Sequence, residues 1–257
     1  MKKILTILAI ISLATNLNAQ NFDDEDENED FIEESNVEFN IGVDLWSSYV
    51  DRGVKSSDGL NIQPSLDFCV GGFFTNLWGS SDFEGNFKEF DISLGYQTGP
   101  VSFYITDYYI NEDCKNEKIA YSNWKSEETA HTLEGTIDFE TDFGLDASLN
   151  LLFYGDDKKE DEDGNIKNNY STYFEIGYTA TIGEVDLRPC VGMTFKESSW
   201  YGDCSMEHKG FNVVNIGLGS EYQIKIGNKF KIPVFVNTTY NPQEDDIYFY
   251  GGFRIGM

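Results

Sequence analysis

The cysteines and histidines of this chain are the side chains that could bind a metal ion. The cysteines are Cys69, Cys114, Cys190 and Cys204, and no two of them form a Cys-x-x-Cys pair. The chain has only 2 histidines, whereas a structural zinc site needs about four Cys or His ligands, some of them closely spaced. The sequence therefore predicts no metal site and no cofactor.

His131 is the candidate for acid–base chemistry and lies near the end of a predicted strand. A lipid hydrolase would place such a histidine beside a nucleophilic serine. No serine lies at the same height and on the same face of the strands predicted to flank it. We therefore predict a structural histidine, no catalytic residue and no enzyme activity.

The remaining charged side chains are mostly acidic. The chain has 45 Asp and Glu against 18 Lys and Arg, which gives a formal net charge of −27. Such a protein repels nucleic acid and anionic surfaces, so neither is an expected partner. Two acidic runs, 23–30 and 156–164, are predicted to be solvated loops or tails. The other acidic residues recur at alternate positions and need strands to position them.

Apolar and polar side chains alternate in NVEFNIGVDLWSSYV, residues 36–50. Because a strand turns successive side chains to opposite faces, this strand has an apolar face and a polar face. The same period recurs about twelve times, in segments longer than the ~5–6 residues of most soluble strands. Two of these strands are predicted at 73–82 and 87–98, and no segment has a helical period.

Strict alternation also predicts the direction of individual side chains. Tyr49 and Val214 belong to the apolar face of their strands. Asp107 would lie on the apolar face if its strand continued unbroken past Ile105, so we predict a bulge or a strand end there.

The connections between the predicted strands alternate between short and long. Short ones lie near 70–72, 99–100, 141–144, 182–184 and 225–228, and long ones at 51–59, 111–127, 155–168 and 197–211. Short turns at one end, long loops at the other and an even number of strands are typical of outer-membrane barrels. We predict an all-β fold, a single transmembrane antiparallel barrel of about 12 strands. The alternative is a secreted all-β domain.

The N-terminal part of the chain is predicted to lie outside the barrel. Two lysines precede an apolar stretch, 4–13, that is typical of a secretory signal and shorter than the ~20 residues of a spanning helix. We predict a signal peptide at 1–19, a disordered acidic lead at 20–35 and the barrel at 36–257. Export followed by barrel formation predicts the outer membrane of a Gram-negative bacterium as the location.

The first predicted loop and the segment after it resemble a known family. The loop reads WSSYVDRGVKSSDG, residues 46–59, and IQPSLDF and FFTNLWGSSDF follow it. Over residues 37–105 this pattern resembles the start of the TorF-type porin family, outer-membrane proteins of unassigned substrate. The resemblance implies an outer-membrane channel. Asp51 departs from the pattern, and the matching loop residues are Trp46, Ser48, Tyr49, Arg52, Gly53 and Asp58.

If the apolar faces contact lipid, the alternate side chains line the lumen. The predicted pore-lining residues are Glu38, Asp44, Asp67, Glu89, Asp91, Glu134, Asp138, Asp146, Glu175, Arg188 and Arg254. Excess inward carboxylates favour cations, so the predicted function is passive diffusion of small polar solutes, cationic or neutral. The charges could instead pair and occlude the modest interior of such a barrel.

A second function is compatible with the same barrel, a non-conducting surface protein whose acidic loops bind cations or an external ligand. Two ion pairs are predicted. Arg52 and Asp58 would clamp the first loop locally, and Glu38 and Arg254 would pair where the barrel closes. The expected partners are outer-membrane lipid, the barrel-assembly machinery during insertion and small solutes, with no oligomeric state predicted.

The positions of the cysteines allow a single disulfide hypothesis. Cys114 and Cys204 fall in long loops at the same end of the barrel, and export permits a disulfide between them. Cys69 and Cys190 are predicted to point inward on distant strands and to stay unpaired.

Overall fold

The computed structural model describes residues 37–112, 119–161, 163–196, 198, 200–201, 210–227 and 230–256. The predicted signal peptide and acidic lead lie outside these residues, as do Cys114 and Cys204, so those predictions stay predictions. Within the described ranges there is no helix of a length and hydropathy that would cross a membrane.

Seventeen strands occur in the described part of the chain. In chain order they are β1 (Val37–Trp46), β2 (Tyr49–Asp51), β3 (Val54–Ser57), β4 (Asn61–Val70), β5 (Phe73–Asp82), β6 (Phe87–Thr98), β7 (Val101–Glu112), β8 (His131–Glu140), β9 (Leu145–Gly155), β10 (Lys158–Glu160), β11 (Ile166–Asn168), β12 (Thr172–Tyr178), β13 (Ala180–Ile182), β14 (Val185–Thr194), β15 (Asn212–Ile226), β16 (Phe230–Asn241) and β17 (Asp246–Gly256). The predicted strands at 73–82 and 87–98 are confirmed as β5 and β6.

Twelve of these strands form one closed antiparallel barrel. Each long strand pairs with the next along the chain, β12 pairs with β9 and β14, and β1 pairs with β17 to close the wall. The short β13 continues β12 after Thr179 and pairs with β14. The hairpins β2–β3 and β10–β11 stand apart from the barrel sheet. The predicted fold class is confirmed.

The distribution of buried and exposed side chains is the reverse of that in a soluble protein. Most buried side chains of the described chain are polar or charged, whereas large apolar side chains such as Phe39, Leu94 and Phe249 are exposed along the outside of the wall. A soluble β-sandwich would bury its apolar face in a shared core. The apolar face of these strands therefore faces outward, as lipid contact requires.

The two ends of the barrel differ in the length of their connections. At one end, the short-turn end, strands are joined by turns such as 71–72, 99–100 and 183–184. Gly71 and Gly72 have φ of 55° and 88°, which a two-residue hairpin turn demands and glycine adopts without strain. At the other end, the long-loop end, the connections are long apart from the four-residue connections 83–86 and 242–245.

Two predictions about strand continuity are wrong. The first strand ends at Trp46, not at residue 50, because the chain then turns into the barrel. The strand that contains Asp107 continues without a bulge, with Asp107 opposite Ile92. Its carboxylate stays on the outer surface because the Nδ1 atom of His131 lies 2.9 Å from it and satisfies the charge.

Candidate functional site

The connection between β1 and β4, residues 47–60, folds into the lumen, and we call it the inward loop. Its first residue is held against β17: the Ser47 amide donates to the carbonyl of Gly251 at 2.8 Å, and the Gly251 amide donates to Ser47 Oγ at 3.0 Å. The hairpin β2–β3 then turns at Arg52 and Gly53, which have φ of 47° and 88°. This tight turn carries the loop to the far side of the barrel.

Arg52 anchors the tip of the inward loop to the far wall. Its Nη1 and Nη2 atoms donate to the two carboxylate oxygens of Glu134 at 2.6 and 2.8 Å, and Nη2 donates to Asn150 Oδ1 at 3.1 Å. The guanidinium also lies 5.3 Å from the ring centroid of Tyr173. A bidentate pair of this kind combines charge with fixed geometry. The predicted clamp between Arg52 and Asp58 is therefore wrong, and Asp58 pairs with Lys55 at 2.5 Å.

Gly53 packs directly against the backbone of β15. A Cβ atom at this position would lie 1.9 Å from the carbonyl oxygen of Val214, so no other residue fits. Val214 is the extra residue of a bulge, since Asn215 lies opposite Gly192 and Val213 opposite Met193. The predicted outward direction of Val214 is wrong because this bulge turns it inward, where it is fully buried. The Gly53 carbonyl also accepts from Asn241 Nδ2 at 2.9 Å.

Apolar contacts hold both arms of the inward loop. Val54 packs against the buried cluster of Tyr173, Tyr201 and Val214. At the other arm, the Tyr49 ring centroid lies 5.6 Å from that of Trp78 and 5.5 Å from that of Phe87. The predicted outward direction of Tyr49 is wrong, because the strand has already ended and the loop places this ring inside.

A second group of charges lies on one side of the lumen, on the neighbouring strands β9, β12 and β14. Arg188 donates from Nη2 to Asp146 at 2.6 Å and to Glu175 at 2.9 Å. Glu175 also accepts from the hydroxyl of Tyr173 at 2.5 Å and from Asn215 Nδ2 at 2.8 Å. Each Glu175 oxygen is thereby hydrogen-bonded, which offsets the cost of burying this side chain.

The seam between β1 and β17 contains an ion pair other than the predicted one. Arg254 lies opposite Asp44 and donates to it from Nε and Nη2, each at 2.5 Å. Glu38 lies opposite Cys69 at the short-turn end and is exposed. The predicted Glu38–Arg254 pair is therefore wrong, since strand stagger in a closed barrel sets which residues face each other.

The structure places the predicted pore-lining residues at three levels of burial. Inside the wall and buried are Asp44, Glu89, Asp91, Glu134, Asp146, Glu175 and Arg254, half-buried are Asp67, Asp138 and Arg188, and Glu38 is exposed. Cys69 and Cys190 are free thiols. The inward loop, Tyr49 and Val214 were missed as interior residues. The glycine after Arg52 was the available signal, since glycine often marks a close backbone contact.

A chamber of about 280 Å³ lies between the inward loop and the short-turn end. The loop contributes Ser48, Tyr49 and Arg52 to its lining, and the wall contributes aromatic and charged side chains that include Trp46, Trp78, Asp91, Tyr250 and Arg254. Trp46 stacks on Phe235 with 5.2 Å between ring centroids. Charged side chains thus make part of the chamber lining polar, and aromatic rings form flat apolar surfaces in the rest of it.

His131 lies outside this lumen, on the outer surface beneath residues 119–130. Its Nδ1 atom contacts Asp107, its Nε2 atom lies 2.6 Å from the carbonyl oxygen of Tyr121, and Trp124 stacks on the ring at 3.8 Å. Both nitrogens are occupied, so neither is available to activate a serine. The arrangement fixes a loop to the wall.

Charges in the connections are satisfied locally. In the acidic run at 156–164, predicted to be a solvated loop, the hairpin β10–β11 forms and Asp161 bonds Lys167 at 2.5 Å. This bond and the amide of Asn165 hold the pKa of Asp161 below its usual range. At the short-turn end, the ammonium of Lys225 lies 2.8 Å from Glu184 and lowers the pKa of that carboxyl.

Comparisons with known proteins give structural neighbours of low similarity. No protein-family model matches the chain, and no curated protein sequence matches it. A triple mutant of the Rhodopseudomonas blastica porin is 12% identical with a TM-score of 0.39, covering 77% of this chain and 55% of its own. A bacterial polysaccharide outer membrane secretin is 9% identical with a TM-score of 0.39, covering 86% and 97%.

Structural similarities this low do not indicate an activity. The class of protein is therefore inferred from the barrel itself. The closed wall of twelve strands, the apolar outer surface and the polar interior fit a porin-like outer-membrane barrel.

Proposed function

We propose that this protein is a narrow outer-membrane channel through which small polar solutes, cationic or neutral, diffuse passively. The observation that carries the proposal is the inward loop. It is fixed inside the lumen by Arg52 and Gly53, and it still leaves a chamber of about 280 Å³ beside it. A loop that narrows a lumen without filling it gives a pore that selects by size.

The orientation follows the rule for bacterial barrels. The short-turn end would face the periplasm and the long-loop end the outside. The resemblance of residues 46–59 to the TorF-type porins supports a channel of this kind. Two of the matching residues, Arg52 and Gly53, fix the inward loop in the lumen. The predicted signal peptide supports export to this membrane.

The preference for cations follows from the way the interior charges pair. The three interior arginines are each bonded to carboxylates: Arg52 to Glu134, Arg188 to Asp146 and Glu175, and Arg254 to Asp44. Asp91 and Glu89 add two further buried carboxylates on β6 to these groups. A low-dielectric wall with surplus negative charge attracts cations and repels anions.

A second candidate is a non-conducting surface barrel whose acidic loops bind cations or an external ligand. One observation favours it. Val54, Tyr173, Tyr201 and Val214 form an apolar plug at the level of the loop, and the Arg52–Glu134 bond crosses the lumen beside it. If this plug seals the barrel, recognition of a partner falls to the connections at the long-loop end, among them the described segments 119–130 and 163–171.

Conductance separates the two candidates. The refolded protein, without residues 1–19, would be inserted into a planar bilayer with a salt gradient across it. The channel predicts discrete current steps and a reversal potential of the sign that cations produce. Folding of the preparation is verified by heat-modifiable migration on a gel. If such a preparation gives no current, the barrel is retained and the channel is rejected.

A further inference from the structure

One wall of the chamber combines aromatic rings with a buried carboxylate. Tyr49 of the inward loop contacts Trp78 and Phe87, whose side chains point inward from β5 and β6 and are 3% exposed. Trp78 lies opposite Asp91 in the pairing of β5 with β6. Tyr49, Trp78 and Asp91 all line the chamber. Two ring systems and one carboxylate thus meet at one place.

Asp91 is a buried carboxylate that a positively charged hydrogen-bond donor would stabilise. The side chain is 1% exposed, and its Oδ1 atom has no hydrogen-bond partner in the described part of the chain. The guanidinium of Arg52, which also lines the chamber, is already bonded to Glu134. Glu89 and Asp51 add negative potential at the same place, since both interact electrostatically with Asp91 and Tyr49. Burial of such a carboxylate is unfavourable unless a cation pairs with it.

We propose that Tyr49, Trp78 and Asp91 form a binding site for a small primary ammonium ion in the lumen. The ammonium N–H groups donate to Asp91 Oδ1, and the positive charge lies against the faces of the two rings. A chamber of about 280 Å³ is near the lower limit of ligand pockets, which favours small amines. Access to the site rests on the proposed channel function, whereas binding does not require current.

Binding and current are measured separately, so that the two proposals can fail separately. Ethylammonium chloride is titrated against NaCl at constant ionic strength into the detergent-folded protein, with tryptophan fluorescence and calorimetry as readouts. The expected result is saturable binding of ethylammonium that sodium and acetate do not reproduce. In bilayers, ethylammonium is expected to reduce the sodium current in a saturable manner at the same concentrations.

Variants identify the site within the barrel. Asp91→Asn and Tyr49→Leu are each expected to weaken ethylammonium binding at least tenfold. Asp138→Asn is the matched control, because it removes a lumen carboxylate that accepts from Tyr104 at 2.9 Å and does not line the chamber. It should leave binding within about twofold. Heat-modifiable migration verifies that each variant folds, and Asp91→Asn should fold at least as well as the parent.

Each outcome decides one proposal. Saturable binding without current supports the site and rejects the channel. Current without saturable binding, or equal loss of binding in Asp91→Asn and Asp138→Asn, rejects the site and leaves the channel. If sodium or calcium bound with the same affinity as ethylammonium, the lumen would attract cations in general and would have no specific ammonium site. That result would overturn the inference.

Discussion

Arg52 and Glu134 join two walls of the barrel that are far apart around its circumference. Arg52 follows β1, and Glu134 lies on β8, five strands away in the order β1–β4–β5–β6–β7–β8. Their two N–O distances are 2.6 and 2.8 Å, and Glu134 is fully buried. This bond determines where the inward loop lies and therefore how wide the lumen is.

Replacement of Arg52 by alanine is expected to widen the pore and destabilise the barrel. The change leaves Glu134 buried without its partner, a loss of about 3–5 kcal/mol in the free energy of unfolding. Single-channel conductance should rise because the loop tip is released. Urea unfolding in detergent measures the first effect. The double variant Arg52→Ala/Glu134→Gln should recover part of the stability while it keeps the high conductance, and unchanged conductance in both would contradict the anchoring role.

Gly53→Ala is expected to displace the inward loop, whereas Gly85→Ala is not. Both glycines have positive φ, 88° and 83°, so both variants carry a backbone penalty of about 1–2 kcal/mol. Only at Gly53 would the added Cβ meet another atom, the carbonyl oxygen of Val214 at 1.9 Å, while Gly85 has open space around it. Conductance should change in Gly53→Ala alone. Equal behaviour of the two variants would mean that the contact with Val214 is unimportant.

Neutralisation of Glu89 and Asp91 is expected to reduce cation selectivity. The double variant Glu89→Gln/Asp91→Asn removes two buried carboxylates from β6, so the reversal potential in a salt gradient should shift towards zero. Glu84→Gln is the control, because Glu84 is exposed in the connection after β5. An unshifted reversal potential in the double variant would assign the selectivity to other residues.

His131→Ala is expected to loosen the loop at 119–130 without any effect on lipid turnover. The variant loses the contacts with Asp107 and the Tyr121 carbonyl and the stack with Trp124, with an expected destabilisation of about 1–3 kcal/mol. Urea unfolding measures it. Lys125→Ala is the control, because the exposed Lys125–Glu128 pair at 3.7 Å contributes little. Phospholipid hydrolysis by the parent that disappears in His131→Ala would instead establish an enzyme.

The disulfide between Cys114 and Cys204 stays a prediction for peptide mapping. Mass spectrometry of a non-reduced digest should find the two loop peptides joined, and Cys69 and Cys190 as free thiols. Recovery of Cys114 and Cys204 as free thiols after oxidative folding would remove the disulfide.

The alternation of side chains, together with the length of the strands and of their connections, predicted the barrel from the sequence alone. Because successive residues of a strand point to opposite faces, the pattern gave the bounds 73–82 and 87–98, the positions of the short turns and the inward direction of residues such as Asp44 and Glu134. A local two-residue period encodes these features, and each strand carries it independently.

Only the tertiary structure decided which residues meet inside the lumen. The seam pairs Arg254 with Asp44 and not with Glu38, since closure of the wall fixes the stagger between β1 and β17. The contacts of the inward loop join residues separated along the chain by 82 positions for Arg52 and Glu134 and by 188 for Gly53 and Asn241. No local pattern specifies such contacts, because they form only when distant strands have closed around the loop.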